Sequence, residues 1–311
     1  MRLLQFKHLD NPILPENGCG LCLGHFDGVH VGHRALFGEL KRLNAARDQR
    51  LPLGVLCFTT PPAATLLKTP TPQLTTLEEK LALIKAAGLD FAVLYDFPAV
   101  MHMTPEDFID RILINDCHAE MLVCGFNYSF GARGAGQPTD LIRHFGKDGK
   151  RTVSVMPPVT DGNSVVSSSL IRAMLQNGHP DDAARLLGRC YSLTGEVREG
   201  FGRGRTIGLP TANLFFPTGV LVPKHGVYAT TVRIGKRTYT GICNVGVRPT
   251  VNSGTDVTCE TYIFDYNSDL YGKTLTVSFL HYLREEKKFN DLWELEAQVR
   301  LDIQQAKAFF R

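Results

Sequence analysis

The apolar residues of this chain change their period once, and that change constrains the fold more than any single motif. In the first half, short apolar runs (GLCLG, PLGVLCF, DFAVLYDF, AEMLVCG, RTVSVMPP) alternate with segments of helical period (HRALFGELKRLNAARD, LEEKLALIKAAG, PEDFIDRILIND). Strands that are apolar throughout are covered on both faces, so this alternation predicts a parallel sheet built from βαβ units, a Rossmann-like α/β domain. Thr76 with Glu79 reads as a capping box, and Thr104 before Pro105 as an N-cap followed by proline at the first helical position. After SSSLIRAMLQNG and HPDDAARLLGR the pattern becomes short alternating segments: YSLTGEV, GVYATTVRI, RTYTGICNVG, VTCETYIFDY and LTVSFLHYL. With IGKRT as a hairpin connection, these predict an antiparallel β-barrel. A terminal helix should follow, capped by Asp291 and Glu294 and carrying Leu292, Leu295, Val299 and Ile303 on one face. The boundary is placed at 184/185, giving domains 1–184 and 185–311.

A formal net charge of +3 over 311 residues is too small for a broad phosphate-facing surface, so nucleic acid is not expected as a partner. The N-terminal MRLLQFKHLDNP lacks the apolar core of a signal peptide, and no run approaches the length of a membrane span. A cytoplasmic protein without membrane association is expected; its oligomeric state stays open. Most of the eight cysteines sit in apolar runs, as small buried residues do. The CGLC pair, Cys19 and Cys22, has redox or zinc spacing, but no second such pair follows.

The first chemical candidate is GHFDGVHVGH, Gly24 to His33, which reads as the end of a strand, a glycine-rich turn and the start of a helix. Gly24 and Gly28 let the backbone approach an anion, and the turn amides with the helix N-terminus supply positive potential. His30 and His33, three apart at the helix start, face one ligand. Two other readings stand beside the phosphate site. His25, Asp27, His30 and His33 are all competent metal ligands, although no HExxH is present; or the histidines satisfy backbone groups in a turn.

GxFDGxHxGH resembles the nucleotidyltransferase signature of the prokaryotic bifunctional riboflavin kinase/FMN adenylyltransferase family. The resemblance implies that His30 and His33 contact the ATP phosphates and stabilise charge as FMN phosphate attacks the α-phosphate. It also implies that Asp27 shapes the loop and that Gly24, Phe26, Gly28 and Gly32 belong to the ATP-binding stretch. VVSSSLIR is similar to a second element of the family, with Ser167, Ser168 and Ser169 offering hydroxyls and amides and Arg172 a cation for the departing pyrophosphate; N-capping alone is the plainer reading. CGFNYSFG resembles a third, which implies Asn127 near the nucleotide and Phe126 and Phe130 near the flavin; a packed strand end is the alternative.

GFGRGRTIGLPTANL leads into no helix and lacks the ending of a P-loop, so from its residues it is a flexible phosphate-facing loop or a structural turn. It resembles the family's riboflavin kinase signature. That implies ATP contacts at Gly202, Gly204, Gly208 and Pro210, and oxygens of Thr211 and Asn213 for Mg²⁺ and ATP phosphates. GVYAT, which contains Tyr228, then NVGVRPT and CETYIFDYNSDLYG follow in the family's order. Glu260 falls at the position of the catalytic base, and YLREEKKF places Arg284 beside the flavin, with Tyr228 as another flavin contact. Read alone, Glu260 is an outward strand glutamate and the charged run a solvated face.

The resemblance therefore implies an enzyme that phosphorylates riboflavin in a C-terminal riboflavin kinase barrel and adenylylates FMN to FAD in an N-terminal nucleotidyltransferase domain. Mg²⁺ with ATP would serve both steps, and the partners are small molecules. A flavin- or nucleotide-binding regulator without turnover, an enzyme with one active and one regulatory module, and a metal-dependent hydrolase are the alternatives. Two departures from the family pattern are His25, where relatives often carry Asn, and Ser169, where Thr is frequent.

Overall fold

The computed structural model describes residues 2–6, 18–60, 65, 71–147, 149–199, 208–249 and 255–311. They form two compact units, Met1–Ser167 and Ser168–Arg311.

The first unit is built on a parallel six-stranded sheet: β1 (Arg2–Phe6), β2 (Cys19–Leu23), β3 (Leu53–Phe58), β4 (Phe91–Tyr95), β5 (Ala119–Gly125) and β6 (Thr152–Met156), in the order β1-β4-β3-β2-β5-β6. Helices α1 (Val31–Ala45) and α2 (Leu77–Ala86) cover one face, where Phe37, Leu40 and Ile84 pack on Val55, Cys57, Ala92 and Val123. The helical segment Phe108–Asp116 covers the other through Phe108, Ile109, Ile112 and Leu113. Both caps form as expected: Thr76 and Glu79 exchange backbone hydrogen bonds at 3.0 and 3.1 Å, and the Thr104 hydroxyl accepts from Asp107 N at 3.0 Å. Edge strand β1 was not among the expected strands, and a short antiparallel pair, β7 (Thr160–Asp161) and β8 (Ser164–Val165), follows β6.

Cys19 and Cys22 are three apart on β2, so the pleat sends them to opposite faces; Cys19 joins the Phe108 side of the core and Cys22 the α1 side. That geometry forbids a disulfide or shared metal between them. Burial pushes the Cys19 thiol up to about 12.

In the second unit α3 (Ser168–Gln176) and α4 (Pro180–Leu187) precede an antiparallel sheet. Its strands are β9 (Tyr191–Glu196), β10 (Thr211–Phe215), β11 (Gly226–Ile234), β12 (Arg237–Pro249), β13 (Thr255–Ile263) and β14 (Thr274–Arg284), in the order β10-β13-β12-β11-β14-β9. Arg198 N, just beyond β9, donates to Asn213 O of β10 at 3.0 Å and closes the curl into a barrel. The two-residue turn between β11 and β12 places Gly235 at φ 59°, a left-handed conformation that suits glycine.

The terminal helix α5 (Leu292–Phe309) packs Val299, Ile303 and Ala306 against Val227, Ala229 and Ile242. Two details differ from expectation. Leu292 is 57% exposed and lies N-terminal to the Val299, Ile303 and Ala306 stripe that packs on the barrel. Asp291 caps Glu294 N at 2.8 Å, but the Glu294 carboxylate reaches back to Asn290 N (3.0 Å), one residue before the cap.

Candidate functional sites

In an open parallel sheet, a ligand crevice forms where neighbouring strands send their connections to opposite faces. Here β2 leads into α1 on one face, while its neighbour β5 leads on to the helical segment Leu141–Phe145, whose Leu141 and Phe145 join the Phe108 side of the core on the other. The carboxyl ends of these two strands open on a cavity of about 370 Å³. Gly24, His25, Phe26 and His33 line it from the β2 side, and Asn127, Tyr128, Ser129 and Phe130 from the β5 side.

The β2 turn holds a costly conformation. Phe26 (φ 57°), Gly28 (φ 77°) and Val29 (φ 43°) are all left-handed, and Val29 is β-branched. Such strain persists only where the surroundings over-determine it, and it gathers at functional sites. The determinants are visible. Phe26 and Val29 are fully buried, Asp27 Oδ1 accepts from Leu74 N at 2.8 Å, and Gly28 N donates to Thr75 Oγ1 at 3.3 Å. Asp27 thus shapes the loop by pinning it to the segment before α2.

His30 is the N-cap of α1, and its Nδ1 accepts from His33 N at 3.3 Å. That bond fixes the neutral tautomer with its proton on Nε2. Its ring stacks on His33 at 3.6 Å between centroids, and Gly32 leaves the room: a Cβ there would stand 3.1 Å from the His30 ring. The His33 imidazole is held well below its ordinary value by burial first, then by His30, His25 and Lys80. Its Nδ1 is buried and has no hydrogen-bond partner among the described residues. A neutral pair of stacked imidazoles with adjacent helix amides is suited to meeting a polyanion.

Phe130 is buried beside Phe108 (5.4 Å) and Tyr128 (5.8 Å, near parallel), forming an aromatic wall. Phe126 is 46% exposed and lies outside the cavity lining. Tyr128 was not singled out in the sequence, although it stands between the two phenylalanines that were. Ser168, Ser169 and Arg172 stand on α3 of the second unit, where Arg172 Nη2 donates to Ser169 Oγ at 3.2 Å; Ser167 ends the first unit.

On the barrel, Asn213 of β10 registers against Glu260 of β13, which in turn registers against Asn244 of β12. Directly opposed residues share a face, so the three side chains form one row, with Thr211 on the same face two residues from Asn213. The next row, Thr211, Tyr262 and Ile242, runs into the core under α5. Asn244, not anticipated from the sequence, also donates from Nδ2 to Glu286 Oε1 at 3.2 Å. Pro210 and Thr211 line a cavity of about 260 Å³ with Thr261 and residues Tyr266 to Tyr271; Glu260 and Asn213 are not in its lining. Gly208 has φ 72° and open space around it, while Gly202 and Gly204 lie outside the described residues. Thr211 and Asn213 offer a hydroxyl and an amide carbonyl, oxygen donors of the hard type that Mg²⁺ accepts.

Two residues expected beside the flavin are placed in structural contacts. Tyr228 is opposite Cys243, hence on the face of the sheet away from Glu260. It is fully buried, edge-on to Phe279 and Tyr282, with its hydroxyl donating to Lys224 O. Arg284 forks onto Asp302 of α5 through Nε (2.8 Å) and Nη2 (2.7 Å), and Asp302 is 1% exposed. Arg284→Ala would leave that buried carboxylate without a counter-ion, with only the Gln298 amide donating to it at 3.0 Å. The expected result is a loss of about 3–5 kcal/mol in urea or thermal unfolding of the barrel, with the riboflavin KM of folded protein nearly unchanged.

The comparisons with known proteins match each half of the chain to one activity of a single family. The family model for riboflavin kinase matches residues 187–310, and that for FAD synthetase matches 14–170. The bifunctional riboflavin kinase/FMN adenylyltransferase of Listeria monocytogenes is 34% identical over 93% of this chain and 92% of its own. That of Bacillus subtilis is 34% identical over 100% and 98%, and that of Escherichia coli K12 33% over 95% and 94%. A crystal structure described as a macrolide-efflux protein from Streptococcus pneumoniae superposes with a TM-score of 0.88 at 30% identity, covering 99% of each chain. Among the described residues of this chain, no helix is long and apolar enough to cross a membrane.

Proposed function

Because the chain belongs to the bifunctional riboflavin kinase/FMN adenylyltransferase family, we propose that its two phosphate-handling sites divide the two reactions between an N-terminal domain, 1–184, and a C-terminal domain, 185–311. It is a transferase that uses ATP twice, first to phosphorylate riboflavin to FMN and then to adenylylate FMN to FAD, releasing pyrophosphate. The observation that carries the division is the cavity at the β2/β5 crevice, where the histidine turn faces the aromatic wall.

In that cavity the nucleotide phosphates lie against the Gly24 to His33 turn and the isoalloxazine ring against Tyr128 and Phe130. An oxygen of the FMN phosphate attacks the α-phosphorus of ATP, and the bond to the pyrophosphate oxygen breaks. His30 and His33 donate N–H bonds to the charge that develops, a task of positioning and electrostatics with no covalent enzyme intermediate. Arg172 and the α3 serines carry the match to the family's pyrophosphate element.

On the barrel, Glu260 accepts the proton of the riboflavin 5′-hydroxyl as that oxygen takes the γ-phosphoryl group and ADP leaves. Thr211 and Asn213 would hold Mg²⁺, which when bound neutralises phosphate charge. The functional boundary at 184/185 falls between the two family matches. A cytoplasmic location suits an enzyme drawing on ATP for both steps. ATP labelled in turn at the γ- and α-phosphorus tests the scheme: γ label should enter FMN and FAD, and α label FAD alone. Appearance of α label in FMN would overturn it.

A further inference from the structure

Lys80 is the only buried lysine among the described residues, 4% exposed. It stands in the first turn of α2, where the aligned peptide dipoles disfavour a cation. An ammonium has three donors. Lys80 uses one of them, Nζ to the His25 carbonyl at 3.2 Å, and pairs with no carboxylate among the described residues. A buried charge without a counter-ion is expensive, and an apolar residue of similar length would serve packing better. The groups around it are His25 and Asp27 on the turn, His30 and His33 at the start of α1, and Cys57 on β3; its charge is felt at His33 and at Cys57. The carboxylate of Asp27 accepts from Leu74 N and makes no ion pair with Lys80, and the turn that Lys80 braces is the one that meets the nucleotide.

We propose that Lys80 is a positioning residue for adenylyl transfer. It fixes the His25 carbonyl, and so the turn carrying His30 and His33, and sets a positive charge behind the wall that receives the nucleotide phosphates. Lys80 does not line the cavity, so it acts through the turn and its field rather than by touching substrate. The inference rests on the reading of this cavity as the adenylyl-transfer site.

Lys80→Met in the full-length chain tests it, since methionine keeps an unbranched apolar stem and removes the donor and the charge. The melting temperature should stay level or rise, and riboflavin phosphorylation should stay within about twofold, while kcat/KM for FMN adenylylation falls about 10- to 100-fold. The His33 ring protons, followed by NMR against pH, should titrate higher than in the wild type, because a neighbouring cation has gone. Unchanged adenylylation would overturn the proposal. Early melting with loss of both activities would also do so, by making Lys80 a structural residue. Lys80→Gln, which keeps a donor but no charge, should show the same His33 shift; full activity in that variant would remove the role of the charge. His33→Ala measured alongside separates the two levels. If it retains FAD formation the site reading fails, whereas if it loses FAD formation and Lys80→Met does not, the Lys80 assignment alone fails.

Discussion

Glu260→Gln is expected to slow riboflavin phosphorylation about 10²- to 10⁴-fold, the range that a positioned general base contributes, and to leave adenylylation of supplied FMN intact. The substitution is nearly isosteric. Glu260 sits in a sheet interior position, between Asn213 and Asn244 in register, so glutamine keeps the strand and its neighbours. What it loses is the capacity to take the proton of a weak hydroxyl nucleophile. Riboflavin KM should change little, because the lost interaction belongs to the transition state rather than to binding. Stopped-assay initial rates with riboflavin, then with FMN, measure both halves of the expectation. A large rise in KM at unchanged kcat would make Glu260 a binding residue.

His33→Ala is expected to lower FMN adenylylation about 10²- to 10³-fold, the usual loss for one donor aimed at developing phosphate charge, with FMN still produced from riboflavin. His33 and not His30 is the cleaner choice. The His30 side chain caps α1, so its removal also costs helix stability, about 1 kcal/mol for a lost cap. His33 stacks on His30 and meets Phe26 edge-on at 5.2 Å, but caps nothing, so its loss falls mainly on chemistry. Nucleotide affinity measured by calorimetry should weaken less than the rate, since the charge that the imidazole meets grows in the transition state.

The division of the chain into a parallel α/β unit and a β-barrel was legible because its signals are local. A period of two against a period of 3.6 is read within a dozen residues, and the caps at Thr76 and Thr104 within four. The site was legible for the same reason, since strand, turn and helix are contiguous from Gly24 to His33. What escaped depends on distant partners. Strand β1 pairs with β4, about ninety residues away. Arg284 reads as one charge in a charged run until Asp302, on a different element, takes its guanidinium. Tyr228 lies on the wrong face for Glu260 by a single step of the pleat, a parity that only the register of three strands reveals. Lys80 did leave a signal. With Leu77 and Ile84 it falls on the 3- and 4-residue spacing of the buried stripe of α2, so a lysine there points inward by period.

The central claim is that one chain runs two reactions at two separate sites. One chromatographic time course tests it most directly, with wild type, Glu260→Gln and His33→Ala each given riboflavin, Mg²⁺ and ATP while riboflavin, FMN and FAD are resolved. Wild type should show FMN rising before FAD, His33→Ala should accumulate FMN and stop, and Glu260→Gln should make neither until FMN is added. If Glu260→Gln in folded form made no FAD from supplied FMN, if folded His33→Ala made no FMN, or if wild type made no FMN, the two-site account would be contradicted.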